Sequence, residues 1–522
     1  MAELPGKYDS WEKERLISRI RNLEHELDKQ KAAASKAVDG AAAPPPAKKR
    51  KTKKGIDPSR YSTRFIALKL AYLGKRYGGF EYADSAALPT IEGELWNALT
   101  KACLIFPEDP AVVNFDCCEY SKCGRTDRGV SAFGQVIGLR VRSSRPLPKP
   151  EPAPTEGDAD TPMEGTAEKT EAEEETKKKP EVEWSDEKEI DYIKTLNRLL
   201  PDDIRILAWC PSPPPGFSAR FSCEERQYRY FFTQPAFAPT TGVSADGLKE
   251  GYLDIEAMDA AAQLFVGDHD FRNFCKVDGG KQITNFERRM FEAGVEEVKD
   301  VGSALPYLGL SSADGSKLPK VYSFNIRGTA FLWHQIRHMV SILFLVGQRL
   351  EKPELVAELL DVEKTPRKPN YDLANDTPLV LWNCVFPGDR ESRTQEGENA
   401  LKWVYGEADI VENLWTYYRT KKMDELLANR LLDLVSGQVQ GTESQAKGKR
   451  VFGGGPLGKL AGEYVPIMKK QLTPTPAEIN DRFAQRKGFK NSEEMKESKN
   501  WRKIIKDAKV AKRAAAAAEA DE

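Results

Sequence analysis

The sequence predicts an α+β fold, a mixed α/β domain built on a sheet, and three observations carry that expectation. From Arg64 onward, strand-like runs such as FIALKLAYLG and DIRILAWC alternate with helical runs such as IEGELWNALTKACLIF. The run WHQIRHMVSILFLVGQRL is apolar around most of its circumference, which marks a helix buried on all sides. No repeat at solenoid spacing appears.

Taken in order, the chain opens on Leu16, Ile20, Leu23 and Leu27, spaced as a short coiled-coil seam between charged residues. The stretch AAAPPPAKKRKTKKG follows; its prolines resist helix and its basic residues repel one another, so a disordered arm is expected. It reads equally as a solvated linker, a nuclear-import signal or an RNA-contacting arm carrying Lys48, Lys49, Arg50 and Lys51. Residues 1–60 therefore form an N-terminal appendage, and residues 61–395 form the folded domain.

Within that domain, residues 145–185 are rich in proline and glutamate and nearly lack large apolar side chains, so they form a disordered acidic insertion. Structure resumes with EIDYIKTLNRLLP as helix, DIRILAWC and RQYRYFF as strands, and DIEAMDAAAQLFVG as helix. MFEAGVEEVKD and KVYSFNIRGTAF follow as strands, before the buried helix. Residues 396–522 read as a helical, charged extension ending in a basic helix.

Net charge is −1, but the distribution is uneven: Glu151 to Ile190 hold fifteen acidic and five basic residues, leaving about +9 elsewhere. A chain basic outside one segment suits a polyanionic partner such as nucleic acid. The N-terminus shows no basic-then-apolar signal region, and no run approaches the roughly 20 apolar residues of a membrane span. The expectation is an unexported protein with no membrane partner. Eight cysteines without a CxxC pair argue against a disulfide framework and against a structural zinc site.

Two motifs fall short of chemistry. HQIRH has Gln335 where a metalloprotease helix needs its glutamate, and GGGPLGKL has Leu460 where a phosphate loop needs Ser or Thr. The latter reads as a flexible loop.

KCGRTDRGVSAFGQV holds one carboxylate, Asp127, between Arg125 and Arg128, in a glycine-bracketed turn before a strand. Positive neighbours favour the ionised form, giving an anion able to act as nucleophile or cation stabiliser; a surface turn with a weak ion pair is the plainer alternative. In FSARFSCEERQYRYFF, alternation puts Tyr228, Tyr230 and Phe232 on one face and Arg229 and Phe231 on the other. In AFLWHQIRHMV, Arg337 lies at the start of the apolar helix, where a buried guanidinium needs an anion; Asp127 is the expected partner.

These three segments, in this order, resemble the TruA family of tRNA pseudouridine synthases. YLGKRYGGFE, TIEGELWNAL, DHDFRNFCKVD, FLVGQ and NYDLANDTPLVLWNCVF resemble its eukaryotic branch acting at positions 38 and 39 of the tRNA anticodon arm. The likeness spans about residues 62 to 390; Lys75 replaces an expected aromatic residue, and the acidic insertion is outside the shared pattern.

The resemblance implies the pseudouridine-synthase fold, a central, mostly antiparallel mixed sheet flanked by helices, with two similar halves around a basic cleft. It implies isomerisation of uridine in place, by breaking the N1–C1′ bond, turning the base and joining C5 to C1′, with no cofactor and no metal. By motif position, Asp127 matches the catalytic aspartate, Tyr228 the tyrosine packed on the target base, and Arg337 the partner orienting Asp127. Arg125 matches the arginine that displaces the uridine, and Arg128 and Arg220 are further RNA-binding residues. A homodimer holding the tRNA anticodon arm is implied as well, and the basic cluster adds an expected distribution over cytoplasm and nucleus. Two rival readings are the same chemistry at another tRNA or mRNA site, and a catalytically inactive tRNA-binding or chaperone protein.

Overall fold

The computed structural model describes residues 57–147, 188–237, 248, 251–299, 320–388, 400–436 and 449–505, save positions 85, 457, 462, 499 and 502. The coiled-coil seam, the basic cluster from Lys48 to Lys51, the acidic insertion from 148 on and the end of the basic C-terminal helix lie outside the described residues.

The elements in chain order are β1 (Thr63–Tyr72), α1 (Ile91–Lys101), β2 (Ser121–Lys122), β3 (Ser131–Arg142), α2 (Tyr192–Asn197), β4 (Ile204–Cys210) and β5 (Glu225–Gln234). Then come α3 (Ile255–Gln263), β6 (Gly267–Asp270), β7 (Glu287–Glu297), β8 (Lys320–Gly328), α4 (Gln335–Gly347), α5 (Leu355–Leu360) and β9 (Leu379–Val385). The extension adds β10 (Val404–Tyr405), α6 (Ala408–Ser436), β11 (Lys449–Val451), β12 (Lys459–Ala461), α7 (Pro476–Arg486) and α8 (Ser492–Glu497).

One sheet runs β10-β4-β1-β3-β9-β5-β8-β7-β6, with β2 paired to β3. Every pairing in it is antiparallel except β3 with β9, where Ser131 faces Val380 and Ala132 faces Leu381. That parallel seam joins two half-sheets, each with its own core. Under the first half, Leu95, Trp96 and Leu99 of α1 pack with Tyr192 of α2; under the second, Met339, Leu343 and Phe344 of α4 pack with Met258 of α3. Tyr228 touches both cores, so it sits at the junction. The mixed sheet flanked by helices is the architecture the sequence predicted.

Local chemistry moves several boundaries. The helix expected through Phe106 stops at Lys101, because Cys103 takes φ +51° and turns Leu104 and Ile105 back into the core. The buried helix starts at Gln335 rather than Trp333, since His334 adopts φ +62°. Nearly all of α4 is buried, as its composition required.

The chain leaves β3 and returns to α2 at one place: Ser143 Oγ and Ser144 N donate to the Glu189 carboxylate at 2.6 and 2.8 Å, and Arg64 Nη1 pairs with it at 3.0 Å. Those donors hold Glu189 at about 2 despite burial.

The GGGPLGKL segment corrects the expectation of a flexible loop. Strand β11 precedes it, Gln348 clamps Phe452 through both its N–H and its carbonyl, and Asn375 N donates to Gly453 O at 2.8 Å. A Cβ on Gly454 (φ +79°) would lie 2.0 Å from Tyr230 Oη, so glycine is required there. Among the described residues, no helix is long and apolar enough to cross a membrane.

Candidate active site

The turn bearing Asp127 is fixed from four directions. Gln135 on β3 clamps Gly124, accepting from its N–H at 3.1 Å and donating to its carbonyl at 2.9 Å. Tyr72 on β1 hydrogen-bonds Thr126 Oγ1 at 2.7 Å in the core, and Phe80 N donates to Thr126 O at 3.1 Å. Val130 N donates to Asp127 O at 3.1 Å, closing the turn. Gly129 takes φ +80°, and a Cβ there would stand 2.6 Å from Asp376 Oδ1, so the backbone lies directly against that second carboxylate.

Asp127 reaches from this turn to the segment before α4. Trp333 Nε1 donates to Asp127 Oδ1 at 3.1 Å, and His334 Nε2 lies 3.6 Å from Asp127 Oδ2. Burial pushes the Asp127 carboxyl above the usual carboxylate value; the Arg337 charge, the Trp333 hydrogen bond and Lys281 pull the other way. The sequence expectation placed the stabilising cations at Arg125 and Arg128. Both are exposed, and Arg125 pairs with Glu81 at 3.1 Å. The opposing cations instead arrive from distant segments, and desolvation outweighs them.

Arg337 stands on the first turn of α4. Its closest carboxylate is Asp376, Nη2 to Oδ2 3.8 Å, while its Nε donates to Ala374 O at 2.8 Å. The expectation that it pairs directly with Asp127 is therefore corrected: it acts on Asp127 through space, and Trp333 makes the direct contact. The physical reason is position along the chain, because Trp333 precedes the helix and reaches the turn, whereas Arg337, on the first helical turn, faces Asp376.

Tyr228 packs edge-on against Phe331, ring centroids 5.1 Å apart, two residues before the tryptophan that holds Asp127. Burial keeps its phenol protonated far beyond neutral pH, so it is a packing surface and a proton donor rather than a base. The predicted alternation holds: Tyr230 and Phe232 are buried on the helix side, while Arg229 stacks on Trp382 at 4.0 Å on the other face, away from Tyr228.

Burial, with the nearby Arg337 and Lys276 charges, pulls His334 down to about 4, so it is neutral near pH 7 and forms no charged pair with Asp127. Lys276 and Lys281 hold their ammonium groups 4.6 and 5.3 Å from the Trp333 ring, and the Lys281 charge lowers the Asp127 pKa. Arg220 is exposed over Phe221, centroid distance 5.2 Å, outside this convergence.

A sequence profile described as tRNA pseudouridine synthase matches residues 261–387, which contain Trp333, Arg337 and Asp376. The tRNA pseudouridine(38/39) synthase of Saccharomyces cerevisiae is 36% identical over 498 residues, covering 93% of this chain and 93% of the yeast protein. This chain belongs to the tRNA pseudouridine synthase family. The tRNA pseudouridine(38/39) synthase of Homo sapiens is 39% identical over 417 residues, 78% of this chain and 72% of the human protein. The tRNA pseudouridine synthase A of Methanothrix thermoacetophila is 29% identical over 299 residues, 57% of this chain and 74% of that protein.

For a synthase of this family, sequence reasoning missed Trp333, His334, Asp376, Lys276 and Lys281. The signal was present for the first two, which sit inside the motif that yielded Arg337, although that motif singles out only the arginine. Asp376, in NYDLANDTP, becomes significant only when Gly129 is seen lying against it.

Proposed function

We propose that this chain isomerises uridine to pseudouridine at positions 38 and 39 of the tRNA anticodon arm, with Asp127 as the nucleophile. The observation that carries the reading is one partly buried carboxylate, Asp127, held by Trp333 within reach of the Arg337 charge, with Tyr228 packed on Phe331 two residues before that tryptophan at the junction of the two half-sheets. The likeness to two 38/39 synthases over most of their lengths supports the choice of target.

A single acid suits this chemistry. Hydrolytic glycosidases use two carboxylates, one to protonate the leaving group. Uracil departs as a resonance-stabilised anion when Asp127 bonds C1′ and the N1–C1′ bond breaks. The base turns, C5 bonds C1′ as the carboxylate leaves, C5 loses its proton and N1 gains one, so atoms and charge balance with no water consumed. Extraction of the nucleotide costs a few kcal/mol, which contacts from Arg125 offset in part. Tyr228 packs on the turned-out base; Arg128 and Arg220, on the exposed surface, suit phosphate contacts.

The same reading includes a homodimer holding one tRNA across both subunits, and a distribution over cytoplasm and nucleus set by the basic cluster from Lys48 to Lys51. Light scattering of the purified chain tests the first, and localisation of a tagged chain lacking the cluster tests the second. The activity is tested by incubating the purified chain with unmodified anticodon-arm transcripts carrying uridine at 38, 39 or both, then mapping pseudouridine. Product at those positions supports the proposal; binding without product, or product only elsewhere, refutes it.

A further inference from the structure

Three cysteines distant in sequence meet in the core. Cys123 ends the stem of the Asp127 turn, Cys223 leads into β5, and Cys384 lies on β9; all three are buried, and their Sγ atoms lie within 4.8 Å of one another. We propose that this triad is a thiolate site for one zinc ion, which ties the stem of the Asp127 turn to the two strands at the junction of the half-sheets.

The distances suit it. A Zn–S bond of about 2.3 Å in tetrahedral geometry sets sulfur atoms roughly 3.8 Å apart, so closing the triad onto an ion requires movement on the order of 1 Å or less. The three backbones are already fixed: Cys123 N donates to Val136 O at 2.9 Å, Glu224 N donates to Val385 O at 2.9 Å, and Arg226 is the cross-strand partner of Cys384. Three thiolates and one dication leave a fourth coordination position for a small ligand.

Charge supplies an independent argument. Arg226 is partly buried beside the triad, and its hydrogen bonds all go to main-chain carbonyls: Nη1 to Cys223 O at 3.3 Å and Thr329 O at 2.7 Å, Nη2 to Cys123 O at 3.3 Å and Arg220 O at 2.9 Å. Among the described residues no carboxylate pairs with it. A guanidinium in that position needs a compensating anion. Zinc with three thiolates carries one negative charge, which the guanidinium neutralises; three neutral thiols would leave it uncompensated. Arg226 also grips the carbonyls of two of the three cysteines, as a residue that orients metal ligands would.

The test uses the full chain purified in reductant, without added metal or chelator. Elemental analysis is expected to give one zinc per chain. After removal of zinc with a chelator, one equivalent of Co²⁺ is expected to produce thiolate-to-metal charge-transfer absorption in the near ultraviolet. Cys384→Ser is expected to abolish that band, whereas Cys117→Ser, which alters an exposed cysteine outside the triad, leaves it unchanged. Alkylation of the wild-type chain, which needs no variant, should spare Cys123, Cys223 and Cys384 when zinc is present and modify them once it is removed. A chain that neither retains zinc nor takes up Co²⁺, a band that survives Cys384→Ser, or a disulfide joining two of the three cysteines in the reduced preparation would overturn the proposal.

Discussion

Trp333 donates its indole N–H to the Asp127 carboxylate at 3.1 Å, across more than two hundred residues of sequence. The bond favours the ionised form of a group that burial pushes the other way. Trp333→Phe keeps the ring and its cation contacts but removes the donor. Hydrogen bonds to charged groups contribute about 1.5–3 kcal/mol, so turnover should fall on the order of tenfold or more, with little change in melting temperature. Single-turnover kinetics beside a thermal melt checks both parts.

Arg337 and Asp376 should act on Asp127 with opposite signs. Arg337 lowers the Asp127 pKa and Asp376 raises it. In Arg337→Gln the acid limb of the rate profile should move to higher pH; in Asp376→Asn it should move to lower pH. Profiles moving the same way in both variants would contradict the electrostatic assignment.

Asp127 itself should cost stability at neutral pH. Its folded pKa lies above the usual 3.8, so the folded state prefers the protonated form. Its contribution is therefore present below 3.8 and is lost as pH rises through the folded value. Asp127→Asn removes that loss, and it should melt higher than wild type at pH 7, with the gap narrowing towards pH 4. Paired thermal melts across that range measure it.

The histidines give the opposite slope. His334 and His338 are pulled from 6.5 to about 4 and about 2, chiefly by burial, so both are neutral in the fold. The stability they contribute is complete above pH 6.5 and drains away as pH falls through the folded values. His334→Gln should flatten the loss of stability between pH 6.5 and 4, as read by denaturant titration.

Gly454→Ala tests the docking of the C-terminal extension. The added methyl would sit 2.0 Å from Tyr230 Oη at a left-handed φ, so a loss of about 1–3 kcal/mol is expected in chemical denaturation. An unchanged midpoint would mean that the loop does not pack on Tyr230.

The strands and the buried helix were legible because their apolar periods are local. The face carrying Tyr228, Tyr230 and Phe232 was read correctly from alternation alone. Three features were not local. Helix α1 stops at Lys101, two residues before a left-handed cysteine, Cys103, that no propensity singles out. The packed Gly454 loop looks flexible until Tyr230 is placed beneath it. The Cys123, Cys223 and Cys384 triad has no motif spacing, because sheet topology rather than sequence brings its members together. In the site, motif logic singled out Asp127, Tyr228 and Arg337 but mispaired two of them: the requirement that Arg337 meet an anion was sound, and Asp376 is the anion it meets.

The most direct test of the account is single-turnover formation of pseudouridine by Asp127→Asn, with tRNA binding measured on the same preparation. The variant is expected to bind tRNA with undiminished affinity and to form no product. Product at the wild-type rate would show that the carboxylate held by Trp333 is not the nucleophile.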